Sequence, residues 1–152
     1  MIEYSKEQVE EILEQHRLYR EYRREQSKHD YRDLEAMKDR PKGAKAVFNG
    51  AMLDGLDFSR MDLAGVEFRN ASLRDANFSY SYLARCSFNG ANLLRAGFRY
   101  AVLDFANMWV CNARGADFRY AEMHGADLSE ACLEGANFEF ANLAYNCRKD
   151  MD

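Results

Sequence analysis

The sequence predicts an all-β solenoid, a four-sided coil of about five turns preceded by an α-helical segment. Three observations carry that expectation. Large apolar residues recur at every fifth position from Phe48 to Leu143, smaller residues stand two places before them, and the position two places after them concentrates both the glycines and a ladder of aromatic residues spaced twenty apart.

Residues 1–43 form a helical segment and linker rich in Glu, Arg, Lys and Gln. Ser5-Lys6-Glu7-Gln8 reads as a capping box, and Ile2, Val9, Ile12, Leu13, His16 and Tyr19 make one stripe at helical spacing, which predicts a helix over about 6–26. Ser27 or Asp30 is placed to cap a second helix carrying Tyr31, Leu34 and Met37, with Arg40-Pro41-Lys42-Gly43 as its stop. Two roles fit this segment: a lid over the apolar end of the first coil, or a partner-binding or dimerising helix.

Residues 44–147 carry the repeat. The large series runs Phe48, Leu53, Phe58, Leu63 and so on through Met108, Ala113, Phe118 and Met123 to Leu143, with residues such as Ala46, Ala51, Cys86 and Cys111 two places earlier. A helix smears a five-residue period around its whole cylinder, and a flat strand swaps faces at each odd step. What remains is a short extended piece that points two residues inward, turns a corner and repeats. Phe and Leu alternate, so like stacks on like only with an even number of sides, and Arg60, Tyr80, Tyr100, Tyr120 and Phe140, twenty apart, set that number at four. Seven of the nine glycines occupy the same corner position, where φ > 0 is expected. Asp57, Asp62, Asn77, Asn92, Asp117, Asp127, Asn137 and Asn142, each just before a large residue, are expected to hydrogen-bond neighbouring backbone.

Runs such as GANLLRAGF, GADFRYAEM, GADLSEACL and GANFEFANL resemble the A(D/N)LXX motif of the pentapeptide repeat family. The resemblance implies a right-handed quadrilateral β-helix. It also implies a range of functions, since better-understood members include inhibitors or protectors of DNA gyrase that resemble DNA in shape and charge.

Composition narrows the rest. A net charge of −4 and a pI near 5.5 announce neither a nucleic-acid binder nor a uniformly acidic mimic. The sequence has no apolar run long enough for a membrane span and no signal-peptide pattern, so a cytoplasmic protein with reduced cysteines (Cys86, Cys111, Cys132 and Cys147) is expected. Residues 148–152 are a charged tail. The three histidines, His16, His29 and His124, join no Ser/His/Asp grouping or metal-ligand cluster, so no enzyme, metal or cofactor is expected.

Partner binding is the expected function. The candidate surface is Tyr80, Tyr82, Arg99, Tyr100, Phe105, Trp109, Arg119, Tyr120 and Phe140, with Val102 beside them. Tyr and Arg dominate interface hot spots. The ladder has a second reading, in which its rungs stack on one another or lie under the front helix. Trp109 is either a partner patch or part of a local repacking around Ala113, where Met108 or Met123 fills the space left by a missing Leu.

Arginines crowd residues 69–119 and acids residues 120–147, a banding that suits a protein partner better than mimicry of DNA; direct nucleic-acid binding ranks third. Leu128, Leu133, Phe138, Leu143 and Tyr145 are the expected contacts of a homodimer through the last coil. The functional expectation is a non-enzymatic protein-binding module, with a DNA-handling enzyme such as gyrase as its most specific target. The competing readings are a scaffold working through the front helices and a phage or mobile-element inhibitor of a host nuclease.

Overall fold

A computed structural model describes residues 1–26 and 44–145. The second helix expected after Ser27, His29, Cys147 and the charged tail lie outside the described residues. The chain divides into two compact units, Ser5–Ala46 and Met1–Tyr4 with everything from Val47 on. The first four residues therefore belong with the coil rather than with the helical segment.

In the smaller unit, helix α1 spans Lys6–Gln26. Its capping box closes in both directions: the Gln8 N–H donates to Ser5 Oγ at 3.2 Å, and the Ser5 N–H donates to Gln8 Oε1 at 2.8 Å. On the outer side Arg17 bridges Glu14 and Glu21. Val9 and His16 are buried, with Ile12, Leu13 and Tyr19 half-buried beside them. The Ala44 N–H donates to the Gln15 carbonyl (3.1 Å) and the Ala46 N–H to His16 Nδ1 (3.2 Å), which ties the strip before the coil to α1.

Ile2, expected in the helical stripe, lies ahead of it. Strand β1 (Ile2–Glu3) pairs in parallel with β2 (Ala51–Met52), and the Tyr4 ring meets Phe48 edge-on at 5.8 Å. These residues add a rung below the first coil. Tertiary pairing decides their conformation, so helical spacing alone misassigns them.

From Val47 onward every bridge joins residue i to i+20 in parallel. Four ladders result: Val47–Glu67–Ser87–Asn107–Asp127 on the first face, Met52–Ser72–Asn92–Asn112–Cys132 on the second, Asp57–Asn77–Gly97–Asp117–Asn137 on the third and Asp62–Tyr82–Val102–Glu122–Asn142 on the fourth. Within a ladder the N–H of a large residue donates to the coil above, as Phe88 does to Asn107 at 2.7 Å, and the N–H before it donates to the coil below, as Ser87 does to Val66 at 3.0 Å. The backbone polar groups are thus satisfied along the axis.

The corners share one geometry. At all twenty positions from Gly50 to Tyr145 in steps of five, φ lies between 55° and 77°. At eighteen of these corners the carbonyl of the large residue accepts the N–H three residues on, as Phe88 does from Ala91 at 2.9 Å, and only the third residue of the turn has positive φ, as in type II turns. Seven corners use Gly; the other thirteen hold side-chain-bearing residues, including β-branched Val110.

Between corners the inward pairs build the core. Phe58, Phe78, Phe98, Phe118 and Phe138 stack along the third face at 4.8–5.0 Å. Phe48, Phe68 and Phe88 stack along the first and meet the third-face column edge-on at 5.7–5.9 Å. Each such pair adds roughly 0.5–1.5 kcal/mol beyond the area it buries. Leu columns fill the second and fourth faces until Ala113 and Met123 replace them; Met108, Ala113 and Met123 are all fully buried at this level.

All eight Asp and Asn residues expected to bond backbone do so, each side chain accepting the N–H two residues on.

Two corner substitutions have opposite expected signs in thermal or denaturant unfolding. Val110→Gly relieves a β-branched residue at φ 57° and is expected to stabilise by about 1 kcal/mol. Gly90→Ala places a Cβ 2.3 Å from Asn70 Oδ1 at φ +66° and is expected to cost about 1–2 kcal/mol. A Leu93→Lys chain, with an ammonium at a fully buried site, is expected not to give a cooperative transition at all.

Candidate protein-binding face

The corner between the third and fourth faces carries Arg60, Tyr80, Tyr100, Tyr120 and Phe140. Their backbone shares one φ and one register, so the side chains leave the coil in parallel. The rings stack at 4.9, 4.8 and 5.0 Å with planes 12°, 8° and 19° apart, and the Arg60 guanidinium lies 4.7 Å over Tyr80. The column nevertheless stays in solvent: Tyr80 is 51% exposed, Tyr100 40%, Tyr120 38% and Phe140 69%. The rungs thus stack on one another, as one of the two sequence readings expects, and still form an exposed apolar strip. Stacking uses the π faces and leaves ring edges and hydroxyls outward. A single-strand nucleic-acid platform needs those faces free.

Arg99 lies 5.6 and 5.8 Å from the Tyr100 and Tyr120 rings. Arg119, expected beside it, instead grips Asp117 with two hydrogen bonds of 2.8 and 2.6 Å. The Arg119 guanidinium holds the Asp117 carboxyl below the usual carboxylate range.

Across the fourth face, Tyr82 is exposed and Val102 half-buried, between Asp62 and Ala64 below and Glu122 and His124 above. At the far corner stands Phe105, with Arg85 5.8 Å over its ring and His124 edge-on at 5.5 Å; His124 in turn meets Tyr145 at 5.1 Å. The Phe105 ring lies across Gly125, where an added Cβ would come within 2.7 Å of it. Trp109 is exposed but belongs to the first face, with Val110 at the next corner, so it stands apart from the aromatic column.

Of the five expected dimer contacts, Leu128 is only 2% exposed and does not form an open end. Leu133, Phe138 and Leu143 are half-buried and Tyr145 is exposed. The arginine band is partly neutralised in place, through Arg95 with Asp75 (2.7 Å), Arg114 with Glu134 (2.8 Å) and Arg119 with Asp117 (2.6 Å). Among the described residues no His, Cys, Asp and Glu group is arranged to hold a metal, and no helix is long and apolar enough to cross a membrane. Burial pushes the Cys111 thiol up to about 12, and the Cys86 thiol donates to the Leu63 carbonyl at 3.0 Å. The Cys111 thiol therefore stays protonated and is no nucleophile at neutral pH.

The sequence model for pentapeptide repeats matches eight copies, over residues 44–79, 71–109, 98–135 and 121–147. The chain belongs to the pentapeptide repeat family. Members of this family form right-handed β-helices, and the twenty-residue ladders build a parallel four-sided β-coil here.

Among solved structures, this pentapeptide repeat chain is 30% identical to a pentapeptide repeat protein of the Arabidopsis thaliana thylakoid lumen, with a TM-score of 0.61 over 62% of this chain and 66% of that one. It is 24% identical to a pentapeptide repeat protein from Nostoc PCC 7120, with a TM-score of 0.56 over 65% of this chain and 85% of that one. QnrB1, a plasmid-mediated fluoroquinolone resistance protein, is 23% identical with a TM-score of 0.46 over 66% of each chain, a likeness too distant to carry an inference. No curated protein matches the chain.

A carboxyl whose folded pKa is depressed contributes stability above its unfolded value and loses it as pH falls through the folded one. Asp117, held down by Arg119, and Asp75, held down by Arg95, are therefore expected to give a chain that loses stability below about pH 4. Acid titration followed by circular dichroism checks this, and Asp117→Asn is expected to flatten that limb.

Proposed function

We propose that the chain is a non-enzymatic protein-binding module and that the exposed column Tyr80–Tyr100–Tyr120–Phe140, with Arg60 and Arg99 beside it, is its contact surface. The observation that carries the reading is the combination of bulk, exposure and backbone conformation. Bulky residues at positive φ cost roughly 1 kcal/mol or more each relative to Gly, and Gly serves at seven other corners of the same coil. The interior does not require aromatics at this corner, since they point outward and stay 38–69% exposed. An apolar strip of Tyr flanked by Arg is the composition of interface hot spots.

Within that class, family resemblance makes DNA gyrase the first enzyme to assay, through a surface patch rather than by charge mimicry. The mixed charge of the coil, with arginines paired to carboxylates, supports that distinction. In a supercoiling assay the expected result is inhibition, or protection from a quinolone; neither effect at excess protein rejects gyrase as the target.

The broader reading is tested by affinity capture from a bacterial lysate. Tyr100→Ala is expected to lose at least tenfold of any specifically retained protein with its β-type circular dichroism unchanged, and Tyr100→Phe to keep most of it. Equal capture by the wild type and Tyr100→Ala contradicts the assignment.

A further inference from the structure

The fourth face is uneven in a particular way. Its side toward the third face is raised, with Arg60, Tyr80 and Tyr82 in the two lower rows, while its other side there is low at Ala64, Gly65 and Ala84, with the Arg85 corner leaning up to the Phe105 ring. Ala64 and Ala84 are 7% and 9% exposed, against 51% for Tyr80 and 43% for Tyr82. Ridge and recess lie side by side on one surface, at the same height along the axis.

We propose that this face is the contact between two copies of the chain, paired side by side and parallel about a two-fold axis along the coil. The inference rests on the reading of the aromatic column as a protein-contact surface and names what occupies it. Such an axis exchanges the two sides of the face row by row. Tyr82 of one copy then meets the partner's Ala84, and Arg60 meets the partner's Gly65. The charges agree as well: Tyr80 faces the partner's Arg85, a ring against a guanidinium, and Glu122 faces the partner's His124, an acceptor against an imidazole. In the upper rows Tyr120 meets the partner's Phe105, whose ring already lies across Gly125.

Spacing supports the same occupant. The column repeats at 4.8–5.0 Å, and a second β-coil running parallel repeats at the same interval, so every row stays in register. A two-fold axis across the coil at its middle row does worse, because at that height it sets Asp104 against the partner's Asp104.

The experiment is sedimentation of the full chain at tens of micromolar, with three variants and circular dichroism as a folding control. The wild type is expected to be a dimer. Ala84→Tyr sets ridge against ridge and is expected to weaken dimerisation at least tenfold. Tyr82→Ala combined with Ala84→Tyr interchanges ridge and recess, which the two-fold axis makes equivalent, and is expected to restore it. Leu133→Lys, on the second face of the last coil, is expected to leave the dimer intact.

A monomeric wild type, a dimeric Ala84→Tyr, a folded double variant that stays monomeric, or loss of the dimer in a folded Leu133→Lys each overturns the pairing. If the wild type is monomeric yet retains a foreign protein through Tyr100, the pairing fails while the binding-module reading stands.

Discussion

Everything in the coil depends on one backbone constraint: at every fifth residue the chain takes a left-handed φ and turns a corner. That turn redirects the next extended piece by one side of a square, so that four of them return the chain to its starting side one strand spacing higher. Parallel hydrogen bonds from residue i to its neighbours near i±20 follow from that closure, and so does the inward aim of the small and large residues. Burial of each Phe or Leu supplies roughly 1.5–3 kcal/mol, and the Phe columns add ring contacts. The corners make this interior available, and the interior in turn holds residues such as Val110 and Tyr100 in a conformation they would not choose alone.

The same constraint shapes the surface. A corner residue cannot turn inward, because the chain is bending around the core at that point, and its φ is fixed by the turn whatever the side chain is. Residues twenty apart therefore project in parallel at the strand spacing. Placing aromatics there yields a rigid stacked column in solvent without disturbing the core. The fourth face takes its ridge from that column and its recess from alanines and glycine on the opposite side, so its relief is written by corner and outward positions alone.

Much of this was legible in the sequence because the repeat is strictly local. The period, the number of sides and the Asx bonds follow from five-residue spacing, and α1 with its capping box from Ser5–Gln8. Three features were not. Glycine marks seven corners, whereas the conformation extends to thirteen more, because the turn enforces it and residue type only modulates its cost. Ile2 and Tyr4 join the coil through pairing with residues some fifty positions away, which no periodic reading can see. Arg119 is drawn to Asp117 rather than to the Tyr column, a choice between two nearby partners that depends on side-chain geometry. Leu128 shows the related limit, since its place in the series resembles that of Leu133 while its burial does not.

The central claim is that residues twenty apart stack on one face, and one distance tests it most directly. Val47 and Asp127 lie on the first face four coils apart, so their backbones should be about 19 Å from each other. Spin labels at these two sites, with Cys132 and Cys147 replaced, are expected to give a single narrow dipolar distance near that value, allowing for the label arms. A broad distribution, or a separation well beyond about 35 Å such as eighty residues of extended or helical chain would give, contradicts the twenty-residue coil.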